Sequence, residues 1–229
     1  MKRVNKKLAV GIIWLSQTLA GAAFAASVTL PGTTVDFSFD DSLLGLFGQA
    51  NVAGDLLYFK PTEFTAESMN GAGFDFTKQT LNVTVTAHEG WNFSSLALTE
   101  RGDYLRIGGR TGVVVSGQMR VFDTQNPLDE VTASIVSDNK FRKTKDYISR
   151  NWEANATADL ASMYTASEIN VTLENILVAK TRSKSGLAFI EKKFAGLDVI
   201  TTPVPEASTY AMMLAGLGLV GFAVRRRTS

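Results

Sequence analysis

The chain holds one histidine and no cysteine, and these two counts narrow the chemistry open to its side chains. His88 stands beside Glu89, just ahead of Gly90 and Trp91. A lone histidine cannot build a multi-histidine zinc site. As a general base it would need a serine within reach, and no Gly-x-Ser-x-Gly elbow is present to supply one. His88 therefore reads as a turn residue at a strand end. Without thiols there is no cysteine nucleophile, no thiolate metal site and no disulfide, so the fold must hold by its core alone. Carboxylate pairs remain, because a glycosidase needs only two acids. The candidates are Asp40 with Asp41, Glu100 with Asp103, and Asp129 with Glu130. All are expected at strand ends or turns, where acids serve solubility and local hydrogen bonding. Asp123, Asn126, Asp129 and Glu130 place several oxygens in one loop, but their spacing misses the EF-hand pattern. No catalytic residue, metal site or cofactor is assigned.

Binding chemistry has other candidates. Trp91 and Trp152, with Tyr104 and Tyr164, would form a flat sugar-binding platform if exposed; buried, the same rings fill a core. Lys140, Arg142, Lys143 and Lys145 would suit an acidic polysaccharide or lipid headgroups. Asp138 and Asp146 dilute that field, which favours a solvated loop. Four Asn-x-Ser/Thr sequons begin at Asn82, Asn92, Asn155 and Asn170. Within strands, Asn and Thr two apart share a face, so polar alternation accounts for them.

The elements that must position these residues repeat with period two. Val35-Asp36-Phe37-Ser38-Phe39 and Leu81-Asn82-Val83-Thr84-Val85-Thr86 alternate apolar and polar, the pattern of half-buried antiparallel strands. Further strands are predicted at 56–59, 63–66, 93–99, 104–107, 112–116, 118–122, 131–136, 154–160, 169–177, 186–190 and 198–201. Arg101-Gly102-Asp103, Gly108-Gly109 and Ser116-Gly117 are read as turns. Residues 43–47 and 160–164 suit single helical turns. Many short strands without crossover helices predict an all-β fold, a single antiparallel β-sandwich of two sheets.

Both ends differ from this body. Lys2, Arg3, Lys6 and Lys7 form a basic region, residues 8–19 an apolar stretch, and Ala23-Phe24-Ala25 a small-x-small cleavage site. Residues 1–25 therefore read as a signal peptide, with Ala26 the first mature residue. At the other end, Val204-Pro205-Glu206-Ala207-Ser208-Thr209 leads into an uncharged apolar block, 210–224, stopped by Arg225, Arg226 and Arg227. As a helix that block spans about 22 Å, short of the roughly 30 Å of a bilayer core. Arginine side chains can snorkel to the headgroups and favour the cytoplasmic side, which places the body outside. A short transmembrane helix serving as a temporary anchor is expected. The alternative is a buried C-terminal helix.

Setting the ends aside leaves 16 basic and 21 acidic residues between 26 and 205, so the near-neutral total conceals an acidic body. Nucleic-acid binding, which needs a basic face, is not expected. Residues 26–202 fit one domain, and 203–229 form a separate tail.

The order of the tail, Val204, Pro205 and Glu206, then Ser208 and Thr209, a Gly-rich apolar helix and an Arg cluster, resembles the PEP-CTERM sorting signal. The chain departs from it at Ala207, where that family usually repeats proline. Residues 98–104, 171–175 and 188–194 are similar to strands of PEP-CTERM bodies. The resemblance implies a bacterial protein whose processing partners are signal peptidase and an exosortase, a membrane-embedded transpeptidase-like enzyme. It also implies membrane anchoring before processing, then the cell surface or the extracellular matrix. The expected role is non-enzymatic and associated with exopolysaccharide or biofilm. The rival readings are a carbohydrate-binding module, with Trp91 and Trp152 as sugar contacts, and a secreted glycoside hydrolase.

Overall fold

The computed structural model describes residues 27–138, 140–144, 147–204 and 207–228. The expected signal peptide with Ala23, Ala25 and Ala26 lies outside them, as do Lys145, Pro205 and Glu206. In chain order the strands are β1 (Ser27–Pro31), β2 (Val35–Asp40), β3 (Ala50–Ala53), β4 (Leu56–Phe59), β5 (Thr65–Met69), β6 (Gly73–Ala87) and β7 (Trp91–Ile107). They continue as β8 (Thr111–Asp123), β9 (Glu130–Ser134), β10 (Val136–Ser137), β11 (Arg150–Asp159), β12 (Glu168–Thr181) and β13 (Leu187–Pro203), followed by helix α1 (Ala207–Thr228). Single 3-10 turns at Asp41–Leu43, Gly45–Phe47 and Ala161–Met163 match the short helical turns expected there.

The alternating patterns do what the period requires. Val35, Phe37 and Phe39 of β2, and Leu81, Val83 and Val85 of β6, turn inward, and every pairing is antiparallel. One sheet runs β1-β2-β6-β12-β8-β9; the other runs β10-β11-β7-β13-β4-β3, with β5 also paired to β13. Their inner faces enclose one apolar core, the arrangement of a β-sandwich.

Two expected turns are corrected. Arg101-Gly102-Asp103 lies inside the unbroken β7, and Ser116-Gly117 inside the unbroken β8. A Cβ on Gly102 would sit 1.9 Å from the carbonyl oxygen of Glu191, and one on Gly117 2.0 Å from that of Glu174. These glycines therefore admit a close-lying neighbouring strand, and do not reverse the chain. Gly108-Gly109 does lie between β7 and β8.

Candidate functional site

The sorting tail leaves the sandwich from β13. Pro203 pairs with Trp91, and the Val204 N–H donates to the Gly90 carbonyl at 2.8 Å, so the chain is tied to the β6–β7 turn where the motif begins. Beyond it, α1 runs as one helix through residues 210–224. Met212–Val220 are exposed all round, including Met212, Leu214, Leu217 and Leu219. The alternative of a buried C-terminal helix is thereby corrected for these residues: no part of the sandwich covers them. Among the described residues, no helix is long and apolar enough to cross a membrane.

The expected sugar platform is corrected as well. Trp152 is only 2% exposed, its ring in the core and its Nε1–H donating to the Glu191 carbonyl at 3.0 Å. Its position on β11 shares the inward phase of Ala154, Ala156 and Ala158. Trp91 is half-buried at the start of β7, and Tyr104 is buried. The tryptophans therefore do not form one exposed surface. Tyr164, the remaining member of that platform, is exposed, as are Tyr147 and, on β6, Phe74 and Phe76. Phe74 flanks an outer-face groove of about 550 Å³, with Arg110, Gly112, Val114, Lys180 and Arg182. Lys180 Nζ stands 4.4 Å from the centre of the Phe74 ring. The groove lies at the start of β6, whereas the tail departs beside its end, roughly 40 Å away along the strand. Sequence reasoning passed over Phe74 and Phe76, although they share the outward phase of Lys78, Thr80 and Asn82, opposite Leu81 and Val83.

The acidic candidates are engaged locally. Glu100 and Asp103, three apart, fall on opposite faces of β7: Glu100 is fully buried, and Asp103 pairs with Lys193. They cannot act across one groove. Asp40 accepts from the Ser42 N–H at 2.9 Å and its hydroxyl at 2.6 Å, capping a 3-10 turn. Asp129 accepts from Asn126 at 2.8 Å, and Glu130 meets Arg120 at 2.8 Å. His88 Nε2 lies 2.9 Å from Asp36 Oδ1; that hydrogen bond holds the imidazole pKa above its usual value. No group of three or more His, Cys, Asp or Glu suited to a metal occurs among the described residues. The sequons at Asn82 and Asn170 interlock across β6 and β12: Thr172 donates to Asn82 at 2.8 Å, and Asn170 to Thr84 at 3.4 Å.

The most unusual polar cluster is inside. Glu100 of β7, Lys192 of β13 and Asn175 of β12 all occupy inward positions and are buried. Lys192 Nζ is 2.7 Å from Glu100 Oε1 and touches Asn175 Oδ1. It also faces the Phe64 and Phe47 rings, at 4.7 and 5.8 Å from their centres. The ionic contact to Glu100 is out of hydrogen-bond alignment, and neither Glu100 Oε2 nor Asn175 Nδ2 has a partner among the described residues. Burial pushes the Glu100 carboxyl up and the Lys192 ammonium down, each toward its neutral form.

Residues 203–227 match the PEP-CTERM protein-sorting motif. No curated protein matches the chain. Among solved structures, the Gt strain of infectious bursal disease virus is similar at 9% identity and a TM-score of 0.24, over 76% of this chain and 51% of that one. The subviral particle of the same virus is similar at 8% identity and a TM-score of 0.24, over 72% and 48%. The chain thus spans about half the length of these two viral chains. A carbohydrate-binding module of the β-sandwich superfamily is similar at 8% identity and a TM-score of 0.20, over 77% of this chain and 97% of that one. Likenesses this weak carry no inference about ligand or partner. The sorting motif does: it implies export as a membrane-anchored precursor and processing by an exosortase. At residues 203–227, this chain carries a PEP-CTERM protein-sorting motif.

Proposed function

We propose that the chain is a non-enzymatic protein of the envelope or extracellular matrix, delivered by its tail and associated there with exopolysaccharide. The carrying observation is the motif match at 203–227, set directly after the last strand and continued by a helix with exposed apolar side chains. The helix serves as a temporary anchor. Arg225, Arg226 and Arg227 act as the membrane stop, and Val204, Pro205, Glu206, Ser208 and Thr209 form the strap read by the exosortase. The sandwich is the cargo. The test is mass spectrometry of the mature C-terminus from the host, with and without its exosortase. The wild-type host should yield a chain lacking Arg225–Arg227 and the deletion host an intact one; intact arginines in the wild-type product would overturn the reading.

A second reading, carbohydrate binding, has its own observation in the Phe74 groove. An aromatic ring offers a stacking face for a sugar, and Arg110, Lys180 and Arg182 supply charge-assisted donors to uronate carboxylates. The groove's distance from the tail keeps it clear of the membrane surface. Binding of a uronate-containing polysaccharide should weaken about tenfold in Phe74→Ala with Lys180→Ala, about 1.4 kcal/mol, and fall with added salt. Equal binding by wild type and variant would remove the groove from the account.

A further inference from the structure

The cluster of Glu100, Lys192 and Asn175 has no part in sorting or in the groove, and as a plain ion pair it is poorly made. A buried charge pair recovers its desolvation only when the remaining lone pairs and protons are satisfied, yet Glu100 Oε2 and Asn175 Nδ2 are buried without partners among the described residues. The strands nevertheless bring these groups together closely. Lys192 has Gly102 as its register partner, and Asn175 has Gly117. These are the two glycines whose missing Cβ atoms let the backbones close up. Past Lys192 the register shifts between Lys192 and Phe194, a bulge that leaves Lys193 outward and turns Ala195 and Leu197 back to the core. The bulge thus keeps Lys192 inward beside Glu100.

We propose that Lys192 Nζ and the Asn175 carboxamide condense into an intramolecular isopeptide bond, with Glu100 carrying the protons. The reaction is an acyl transfer without oxidant, metal or cofactor. The Nζ lone pair attacks Asn175 Cγ, forming a C–N bond. Glu100, in contact with Nζ, accepts the proton that nitrogen loses and delivers one to Nδ2. The Cγ–Nδ2 bond then breaks and ammonia leaves. One amine and one primary amide become one secondary amide and one ammonia, and Glu100 ends in the protonation state in which it began.

Three features suit the site to this step. Nζ already contacts both the amide and the carboxyl, so the reactants are held in near-attack proximity. Burial biases lysine toward its nucleophilic free amine and glutamate toward its proton-bearing form. The Phe47 and Phe64 rings, both fully buried, shield the site from water that would hydrolyse the amide. The product also resolves the unpaired atoms: Nδ2 departs, the titratable amine becomes a neutral amide, and the new N–H lies within reach of the Glu100 carboxyl. The bond joins β12 of one sheet to β13 of the other, a covalent tie in a protein without disulfides. The inference stands whether or not the sorting reading holds.

The test is tryptic digestion of the purified full chain, with tandem mass spectrometry of the peptides. A branched peptide should join residues 151–180 to 185–193, uncut after Lys192 and lighter than the two parts by one ammonia. Linear peptides as the main product of folded wild-type protein would overturn the proposal. Glu100→Gln should slow bond formation on the order of 100-fold while circular dichroism reports an unchanged strand signal. Undiminished branching in that variant would overturn the role of Glu100. Lys192→Arg, which retains a cation but not the amine, should give only linear peptides; the same branched mass there would overturn the assignment to Lys192.

Discussion

Truncating Trp152 separates a core tryptophan from a sugar-contact tryptophan. Its ring is buried on β11, and its indole N–H is bonded at 3.0 Å to the Glu191 carbonyl, next to the bulge in β13. Trp152→Ala removes the packed ring and leaves a cavity, a change that costs about 3–5 kcal/mol. It also strands the Glu191 carbonyl, adding about 1 kcal/mol. With a urea slope of about 2 kcal/mol per molar, the unfolding midpoint should fall by about 2–3 M. Trp152→Phe keeps most of the ring but loses the donor and some volume, so its fall should be smaller, about 0.5–1 M. The assay is urea titration of the full chain in detergent, followed by the strand signal in circular dichroism. Polysaccharide binding should be unchanged in Trp152→Phe where it remains folded. A shift below about 0.3 M for Trp152→Ala, with selective loss of polysaccharide binding, would refute the core assignment and restore the platform.

Gly102→Ala should cost about 2 kcal/mol because its methyl meets the Glu191 carbonyl, lowering the thermal midpoint by about 4–8 °C in calorimetry; an unchanged midpoint would mean that β7 and β13 part freely. On the two faces of β12, Val171→Asp should abolish cooperative unfolding, since it puts an unpaired charge at a fully buried site. Thr172→Val, on the outer face, should shift stability by no more than about 1 kcal/mol in the same titration. His88 supplies a pH test: its pKa is raised by Asp36, so its stabilising contribution is complete below the unfolded value of about 6.5 and disappears as pH rises through the folded value. The stability advantage of wild type over His88→Gln should therefore shrink as pH is raised above about 6.5, measured as the difference between urea midpoints; an advantage that grows with pH would contradict the bond.

Much of this architecture was legible along the chain. Period-two alternation at 35–39 and 81–86 assigns an inward face to β2 and β6 without knowledge of their partners, because successive strand side chains point to opposite sides. The missing cysteines excluded disulfides, and the order of Pro205, Glu206, the apolar block and three arginines identified the tail because a linear motif carries its signal in local sequence. The same alternation also marked Glu100 as in phase with Leu96 and Leu98, and Lys192 as in phase with Ala188 and Ile190. Glu100 reads as a turn acid in the sequence, and Lys192 does not stand out there, because a charged residue is rarely fully buried.

Tertiary structure decided the rest. Gly102 and Gly117 look like turns in isolation; only the nearness of Glu191 and Glu174 on neighbouring strands shows that the chain runs straight through them. Trp152 would suit either a platform or a core until β11 is paired in register with β7. Phe74 and Lys180 stand about a hundred residues apart, yet they are cross-strand partners. Glu100, Asn175 and Lys192 come from three strands of two sheets and meet only after every register and the bulge at Lys193 are set. A local pattern tells a residue which face it occupies; long-range strand pairing tells it whom it meets there. The tail therefore reads directly from the sequence, whereas the reactive centre proposed for the body exists only in the assembled sandwich.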